Sequence, residues 1–378
     1  MPANHVPAAE PSPRQATARF GEIRVLEIGD RWLFAEAMPA NTLLLWTGIR
    51  PLPATEGRMN FGLRAARLLL AALRRGGFDL IVCHVPNYHP LGWRWIGRLI
   101  SLYVILFPLH VLRTSGVLFL KLPTRTPIAV VDTEDHTAVN RHNFFLFPKC
   151  RAFFKRELPA DHWKVFLKTA HPNLPTPRLR RRRFYREAVE KLRPISLGIS
   201  EAKLARVPAA AEEKTVDVFF AGSTANSLVR ARGMEQLLAL RREGYVVDIA
   251  DAKMTLEEYF ARCARAWLTW SPEGYGWECF RHYEAAACRS VPVINQPSIY
   301  RYRPLLNGVH CVHYDVEEDG LRKAVIEALQ DKPRLAAMAE AAREHVLRHH
   351  AQRRLCDYIL ETSLGRSGDP LQQGRAVG

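Results

Sequence analysis

Residues 268–295 read LTWSPEGYGWECFRHYEAAACRSVPVIN, a run in which Arg281 and Glu284 stand on a helix-length stretch otherwise rich in alanine. A guanidinium can neutralise a phosphate, and a carboxylate can accept hydrogen bonds from hydroxyls. Trp277, Arg281, Glu284 and Cys288 follow at spacings of four, three and four, which on a helix aligns them along one face. Just ahead, Gly274-Tyr275-Gly276-Trp277 would let a ligand approach the backbone where the helix begins, and unpaired N–H groups there favour an anion. Gly222 and Ser223, after the apolar run VDVFF, offer a second such turn, and Arg230 and Arg232 follow it on a stretch that could equally be a solvated helix face. The competing reading of Arg281 and Glu284 is an i,i+3 ion pair on a solvated face, worth roughly a few tenths of a kcal/mol.

A second group of side chains could serve as bases. His84 follows FDLIVC, and Asp132, Glu134, Asp135 and His136 follow IAVV. A general base must reach an acceptor hydroxyl at hydrogen-bond distance, and His84 and the pair Asp135 and His136 are the candidates. Helix capping by Thr133 and Asp135 is the plainer alternative for that cluster.

The elements that must position these groups alternate. Apolar runs at residues 23–29, 41–49, 78–86 and 126–136 suit buried parallel strands, and residues 61–75 have helical apolar spacing with Gly76-Gly77 as a stop. The rhythm breaks over residues 151–206, with FFKRELP, HPNLPTP and RLRRRR, and resumes at residue 215 with strands and helices through VPVIN. Helices with a break at Lys332-Pro333 close the chain. The expected fold class is α/β, two doubly wound parallel units. The expected division is a disordered tail at 1–20, a first unit at 21–200, a second at 201–345, a closing helix at 346–364 and a disordered tail at 365–378.

Length and composition agree with that picture. The 378 residues exceed one ordinary core, and 48% hydrophobic with 24% charged residues is typical of a soluble protein. The net charge is +16, and residues 141–206 hold 17 basic against 5 acidic residues, which implies an anionic partner. Arg180 to Arg183 could meet nucleic acid or anionic lipid but read as a solvated linker, because no nucleic-acid module accompanies them, so a nucleic-acid partner is not expected. Seven scattered cysteines without a CxxC pair argue for a reducing, cytoplasmic setting, and the N-terminus has no signal-peptide core. Residues 92–113 carry tryptophans and arginines ahead of an apolar stretch too short to span a bilayer, so either a helix packed on the sheet or peripheral contact with the inner face of a membrane is expected.

SPEGYGWECFRHYEAAACRSVPVIN, followed by LNGVHCVHYDVEEDG and helices, resembles the donor segment of the group 1 glycosyltransferases, in which a glycine-rich loop leads to a helix reading E-A-x-A-x-G-x-P-V-I. An arginine before the helix glutamate, as Arg281 precedes Glu284, is similar to the spore-maturation and exostosin-like branch. The resemblance covers residues 215–360, with echoes at FFKREL and LRPISLGIS. It implies a GT-B fold: two Rossmann-like domains across a cleft, with the C-terminal helices returning to the first. It further implies transfer from a nucleotide-diphosphate sugar to an acceptor hydroxyl on a glycan, a lipid-linked glycan or a small molecule, as in polysaccharide biosynthesis, with no obligatory cofactor or metal. Donor contacts would fall on Gly222, Ser223, Arg230, Arg232, Gly274, Tyr275, Gly276, Trp277, Arg281 and Glu284, and the acceptor side on His84, Asp135 and His136. Retaining members carry two glutamates separated by seven residues; Glu284 matches the second, whereas Glu273 lies eleven positions before it and Glu278 six. The alternatives are a non-catalytic scaffold binding nucleotide, glycan or RNA, and a metal-dependent GT-A enzyme holding magnesium on Asp132 and Glu134.

Overall fold

The computed structural model describes residues 23–53, 55–86, 108–169, 175–176, 182–224, 227–250 and 252–365. The first apolar runs become β1 (Val25–Gly29), β2 (Thr42–Trp46), β3 (Arg58–Asn60), β4 (Leu80–His84) and β5 (Ile128–Asp132). With β6 (Ala152–Lys155) and β7 (Leu192–Pro194) they form a seven-stranded parallel sheet in the order β3-β2-β1-β4-β5-β6-β7. Every residue of β1, β4 and β5 is buried, as expected of strands covered on both faces. Helix α1 (Leu63–Arg75) packs Ala65, Leu69, Ala72 and Leu73 inward and ends at Gly76, whose φ of +79° only glycine adopts without strain.

β6 and β7 correct the expectation that residues 151–206 interrupt the alternation. β6 contains Lys155, which looks like a surface residue in sequence, yet its Nζ lies 3.0 Å from Asp132 Oδ2 on β5 with both side chains buried. The neighbouring strand supplies the neutralising charge. β7 is three residues long, too short for any periodicity to register.

The second sheet contains β8 (Val216–Phe220), β9 (Val247–Ile249), β10 (Ala266–Trp270), β11 (Val291–Asn295) and β12 (Val312–Tyr314), all parallel, in the order β9-β8-β10-β11-β12. Helix α2 (Leu228–Arg242) starts at the Ser227 cap, and α3 (Leu256–Ala264) at a capping box of Thr255 and Glu258. Helix α4 (Phe280–Ala287) buries Ala285, Ala286 and Ala287, whose small side chains allow close packing. The Asn307-Gly308-Val309 run forms a turn, with Gly308 at φ +74°, and the strand begins at Val312.

Helices α5 (Gly320–Leu329) and α6 (Lys332–His349) stay with the second sheet, whereas α7 (Gln352–Leu364) crosses back. Its Leu355, Cys356, Ile359 and Leu360 share a core with Val25, Leu80, Val82 and Val131 of the first sheet. The outgoing and returning connections run side by side, with Ile199 N–H donating to His350 O at 2.9 Å and Gln352 N–H to Ile199 O at 2.9 Å. Gly198 makes this possible: at φ +60°, a Cβ there would stand 2.3 Å from His350 O.

In each sheet the strand order reverses at one place, between β1 and β4 in the first and between β8 and β10 in the second. Crevices outside the carboxyl ends of strands form at such points. Most of the expected interfacial segment, residues 92–107, lies outside the described residues, as do residues 1–20 and 366–378 of the expected tails. Pro108–Thr114 is helical, and among the described residues no helix is long and apolar enough to cross a membrane.

Candidate active site

A cleft of about 860 Å³ opens where β8 and β10 end, and Gly222, Ser223, Arg230, Gly274, Tyr275, Gly276, Arg281 and Glu284 all border it. Arg281, on the first turn of α4, lies over the Phe220 ring at 5.2 Å. Gly222 leaves the space its guanidinium fills, since a Cβ on residue 222 would come 2.5 Å from Arg281 Nη2. Among the described residues Arg281 Nη1 is buried with no hydrogen-bond partner. Arg230 ties the two loops of the cleft together, its Nε donating to Glu273 O at 2.9 Å and its Nη1 to Ser223 O at 3.0 Å.

Glu284 does not pair with Arg281. Its Oε1 receives Lys203 Nζ at 2.5 Å, from the stretch that links the two sheets. Arg281 and Glu284 therefore both face the cleft, while Arg232 is exposed on α2 and Trp277 is buried away from it. Helix α4 begins only at Phe280, so Trp277 precedes the face it was expected to share. Its indole Nε1–H donates to Gln296 O at 3.0 Å and its ring packs in the second unit's core. Cys288 is buried at the far end of the helix.

Two backbone N–H groups of the loop ahead of α4 are engaged by the other unit. Glu157, just after β6, accepts the Trp277 N–H on Oε2 and the Glu278 N–H on Oε1, each at 3.0 Å. Gly276 is required for that approach, because a Cβ there would meet Glu157 Oε1 and Arg156 Nη2, each at 2.6 Å. Arg156 reaches Asp135 with its Nη2 and Glu157 with its Nε at 3.3 Å. Glu278 accepts the Leu197 N–H at 3.0 Å and the Tyr283 hydroxyl. Burial pushes its carboxyl up to about 8, against the opposing pull of the Tyr283 hydrogen bond and Arg156.

A second cavity of about 600 Å³ occupies the β1/β4 crevice, and Asp135, Arg156, Leu197 and Phe280 border both spaces. His84 lines it from the end of β4, buried, with Nε2 2.7 Å from Glu27 Oε1 and Nδ1 buried without a partner. Glu27, in the middle of β1, also accepts the N–H groups of Leu33, Phe34 and Ala35 at 2.7, 3.1 and 2.7 Å. Asp135 sits at the junction of the cavities but is engaged by Arg156. His136 borders neither space, so the expected Asp135 and His136 pair is not assembled at the cavities. Asp132 pairs with Lys155, and Glu134 with Arg31 at 2.5 Å, so these two carboxylates meet different cations rather than converging on one point. Among the described residues no group of three or more His, Cys, Asp and Glu is arranged to hold a metal ion.

Sequence reasoning passed over Glu27, Arg156, Glu157 and Lys203. A signal existed for Glu27, a carboxylate inside the otherwise apolar strand VLEIG. Glu157 and Lys203 reach their partners across 120 and 81 residues of chain, a pairing no local pattern records.

Comparison with known proteins places these features in context. The family model of the RXYLT1 C-terminal domain matches residues 224–300, a stretch from the Ser223 loop past β11 that includes Arg230, Arg281 and Glu284. No curated protein sequence matches the chain. Among solved structures, sucrose-phosphate synthase from Thermosynechococcus elongatus superposes with a TM-score of 0.51 at 10% identity, covering 91% of this chain and 100% of that one. Anabaena HepE in complex with UDP gives 0.49 at 12% identity, covering 91% and 100%. A glycosyltransferase from Rickettsia africae gives 0.49 at 10% identity, covering 92% and 100%. The chain thus has the GT-B fold, two parallel-sheet α/β units meeting across a cleft, with a C-terminal helix returned to the first.

Proposed function

We propose that the protein is a glycosyltransferase that holds a nucleotide-diphosphate sugar in the larger cleft and an acceptor hydroxyl in the smaller cavity. The observation that carries this reading is Arg281 Nη1, a buried cationic nitrogen without a partner at the wall of the cleft. A buried guanidinium N–H without a hydrogen bond is costly, and an anion entering the cleft would satisfy it. Arg230, held between the Ser223 and Glu273 carbonyls, would add a second positive group against the diphosphate. Glu284, already near Lys203, would accept the nucleotide's hydroxyls. Charge developing on the departing diphosphate would be stabilised by these fixed guanidinium groups, a preorganised electrostatic contribution. Asp135, Arg156, Leu197 and Phe280 are the wall across which donor and acceptor would meet.

The division of labour follows: a first unit of residues 21–200 for the acceptor and a second of residues 201–345 for the donor. The test is a thermal-shift and turnover screen with UDP-, GDP- and ADP-sugars. Saturation at about 100 times Kd should stabilise the protein by about 2.7 kcal/mol, and the same sugar should be turned over. Binding without turnover would instead support a non-catalytic scaffold, and no binding at all would remove the donor-site reading.

A further inference from the structure

The first unit carries its charge unevenly. Residues 57–131 hold ten basic residues and one acidic residue, Asp79, whose carboxylate accepts the Arg24 N–H at 2.8 Å. Within that stretch, α1 buries Ala65, Ala66, Leu69, Ala72 and Leu73 against the first sheet and exposes all four of its charged residues, Arg64, Arg67, Arg74 and Arg75. The helix contains no acidic residue. At a rise of 1.5 Å per residue, these arginines are spread along roughly 16 Å of helix. Like charges repel, and a helix face that only meets water normally mixes both signs. A face of one sign is complementary to an extended anionic partner.

Apolar side chains stand out beside these arginines. Ile49, Leu63 and Leu109 are 60%, 66% and 69% exposed. They belong to one side of the molecule, since α1 shares a core with Val117 and Leu120 on one face of the first sheet while α7 covers the other. Leu63 opens α1 two residues after Phe61, whose ring lies so close to residue 116 that a Cβ there would meet it at 2.8 Å. Leu109 shares the helical stretch Pro108–Thr114 with Arg113, which reaches the loop of Ile49. Arg113 donates from Nε to Gly48 O at 3.0 Å and from Nη2 to Ile49 O at 2.6 Å, and the Trp46 indole N–H donates to Arg50 O at 2.7 Å. With three consecutive carbonyls tied, the turn presents Ile49 to the outside as a fixed feature. Cations flanked by outward aliphatic side chains suit a bilayer: guanidinium groups meet lipid phosphates, and the apolar side chains enter the acyl boundary. Nucleic acid would engage the charges but stacks on aromatic rings rather than on leucine and isoleucine.

We propose that the outer face of α1, with Ile49, Leu63 and Leu109 as the inserted side chains, docks the protein on a lipid bilayer that carries anionic headgroups. Docking here is independent of what the larger cleft binds.

The experiment is co-sedimentation of the full chain with phosphatidylcholine vesicles, with and without phosphatidylglycerol, at low and at high salt. The protein should sediment with the anionic vesicles alone, and high salt should release it. Arg64→Gln with Arg67→Gln, and separately Arg74→Gln with Arg75→Gln, should weaken vesicle affinity by about fivefold for each arginine removed, the effect of one basic residue near an anionic surface. Leu63→Ser and Leu109→Ser should each weaken it by about tenfold, the scale of partly burying one leucine. The melting temperature of both leucine variants should be unchanged, because the side chains are exposed in the folded protein. Polyuridylate, in a filter-binding assay with the same variants, distinguishes a nucleic-acid surface. Failure to sediment with anionic vesicles would overturn the proposal, as would full vesicle affinity in the arginine variants or in the leucine variants. Polyuridylate binding lost with the arginines, together with vesicle binding indifferent to the leucines, would assign the face to nucleic acid instead.

Discussion

Arg281 lies against Gly222 with no room to spare, a Cβ at position 222 falling 2.5 Å from the guanidinium Nη2. The atom that would have to yield is the far end of a flexible side chain, not backbone. Gly222→Ala should therefore fold normally but swing Arg281 out of place. Nucleoside diphosphate affinity, measured by calorimetry, should fall about tenfold or more, the loss of one charge-assisted hydrogen bond being worth roughly 1.5–3 kcal/mol. Equal affinity in the variant would separate Arg281 from the ligand.

Glu157 couples the two units by receiving the Trp277 and Glu278 N–H groups. Glu157→Ala leaves two buried donors without a partner, which should cost roughly 1–3 kcal/mol per group in urea unfolding. Gly276→Ala should act on the same contact by pushing Glu157 and Arg156 aside. If both variants unfold at the wild-type urea concentration, the clamp contributes nothing.

Glu278 gives the stability a definite pH dependence. Burial raises its carboxyl from 4.5 to about 8, so between those values the folded protein retains a proton that the unfolded chain has released. Stability attributable to this group therefore falls as pH rises through that window, by up to roughly 1.4 kcal/mol per pH unit. Glu278→Gln, which can still accept the Leu197 N–H, should flatten the slope and gain relative to wild type toward pH 8. A parallel pair of stability curves would show that Glu278 ionises freely.

Glu284 is buried and shares its charge with Lys203. If it accepts nucleotide hydroxyls, Glu284→Gln should weaken nucleoside diphosphate binding by about tenfold, the scale of one hydrogen bond to a charged group. The same substitution should leave binding of the 2′,3′-dideoxy analogue unchanged. An equal loss for both ligands would mean that Glu284 only supports the fold.

Much of this architecture is legible in the sequence because buried parallel strands announce themselves as apolar runs, and VLEIG, LIVCH, IAVVD and VDVFF all do. Arg281 and Glu284 stood out because charge is costly on a helix packed by alanines. β6 and β7 escaped because one hides a lysine neutralised from the next strand and the other is three residues long. The contacts that join the two units, Glu157 to Trp277 and Lys203 to Glu284, depend on how separate units face each other. Local spacing carries no record of that. Trp277 illustrates the converse: its spacing suited a helix face, but the helix starts three residues later and the indole goes to the core.

The most direct test is calorimetric titration of UDP, GDP and ADP into the wild-type protein and Arg281→Ala. One nucleotide should bind the wild type and lose about 100-fold in affinity in the variant, in keeping with the roughly 3 kcal/mol upper range for a hydrogen bond to a charged group. The unliganded variant should lose only the guanidinium's contact with the Phe220 ring, roughly 0.5–1 kcal/mol, because Nη1 has no hydrogen bond to lose. Undiminished binding in Arg281→Ala, or no binding to the wild type, would contradict the account.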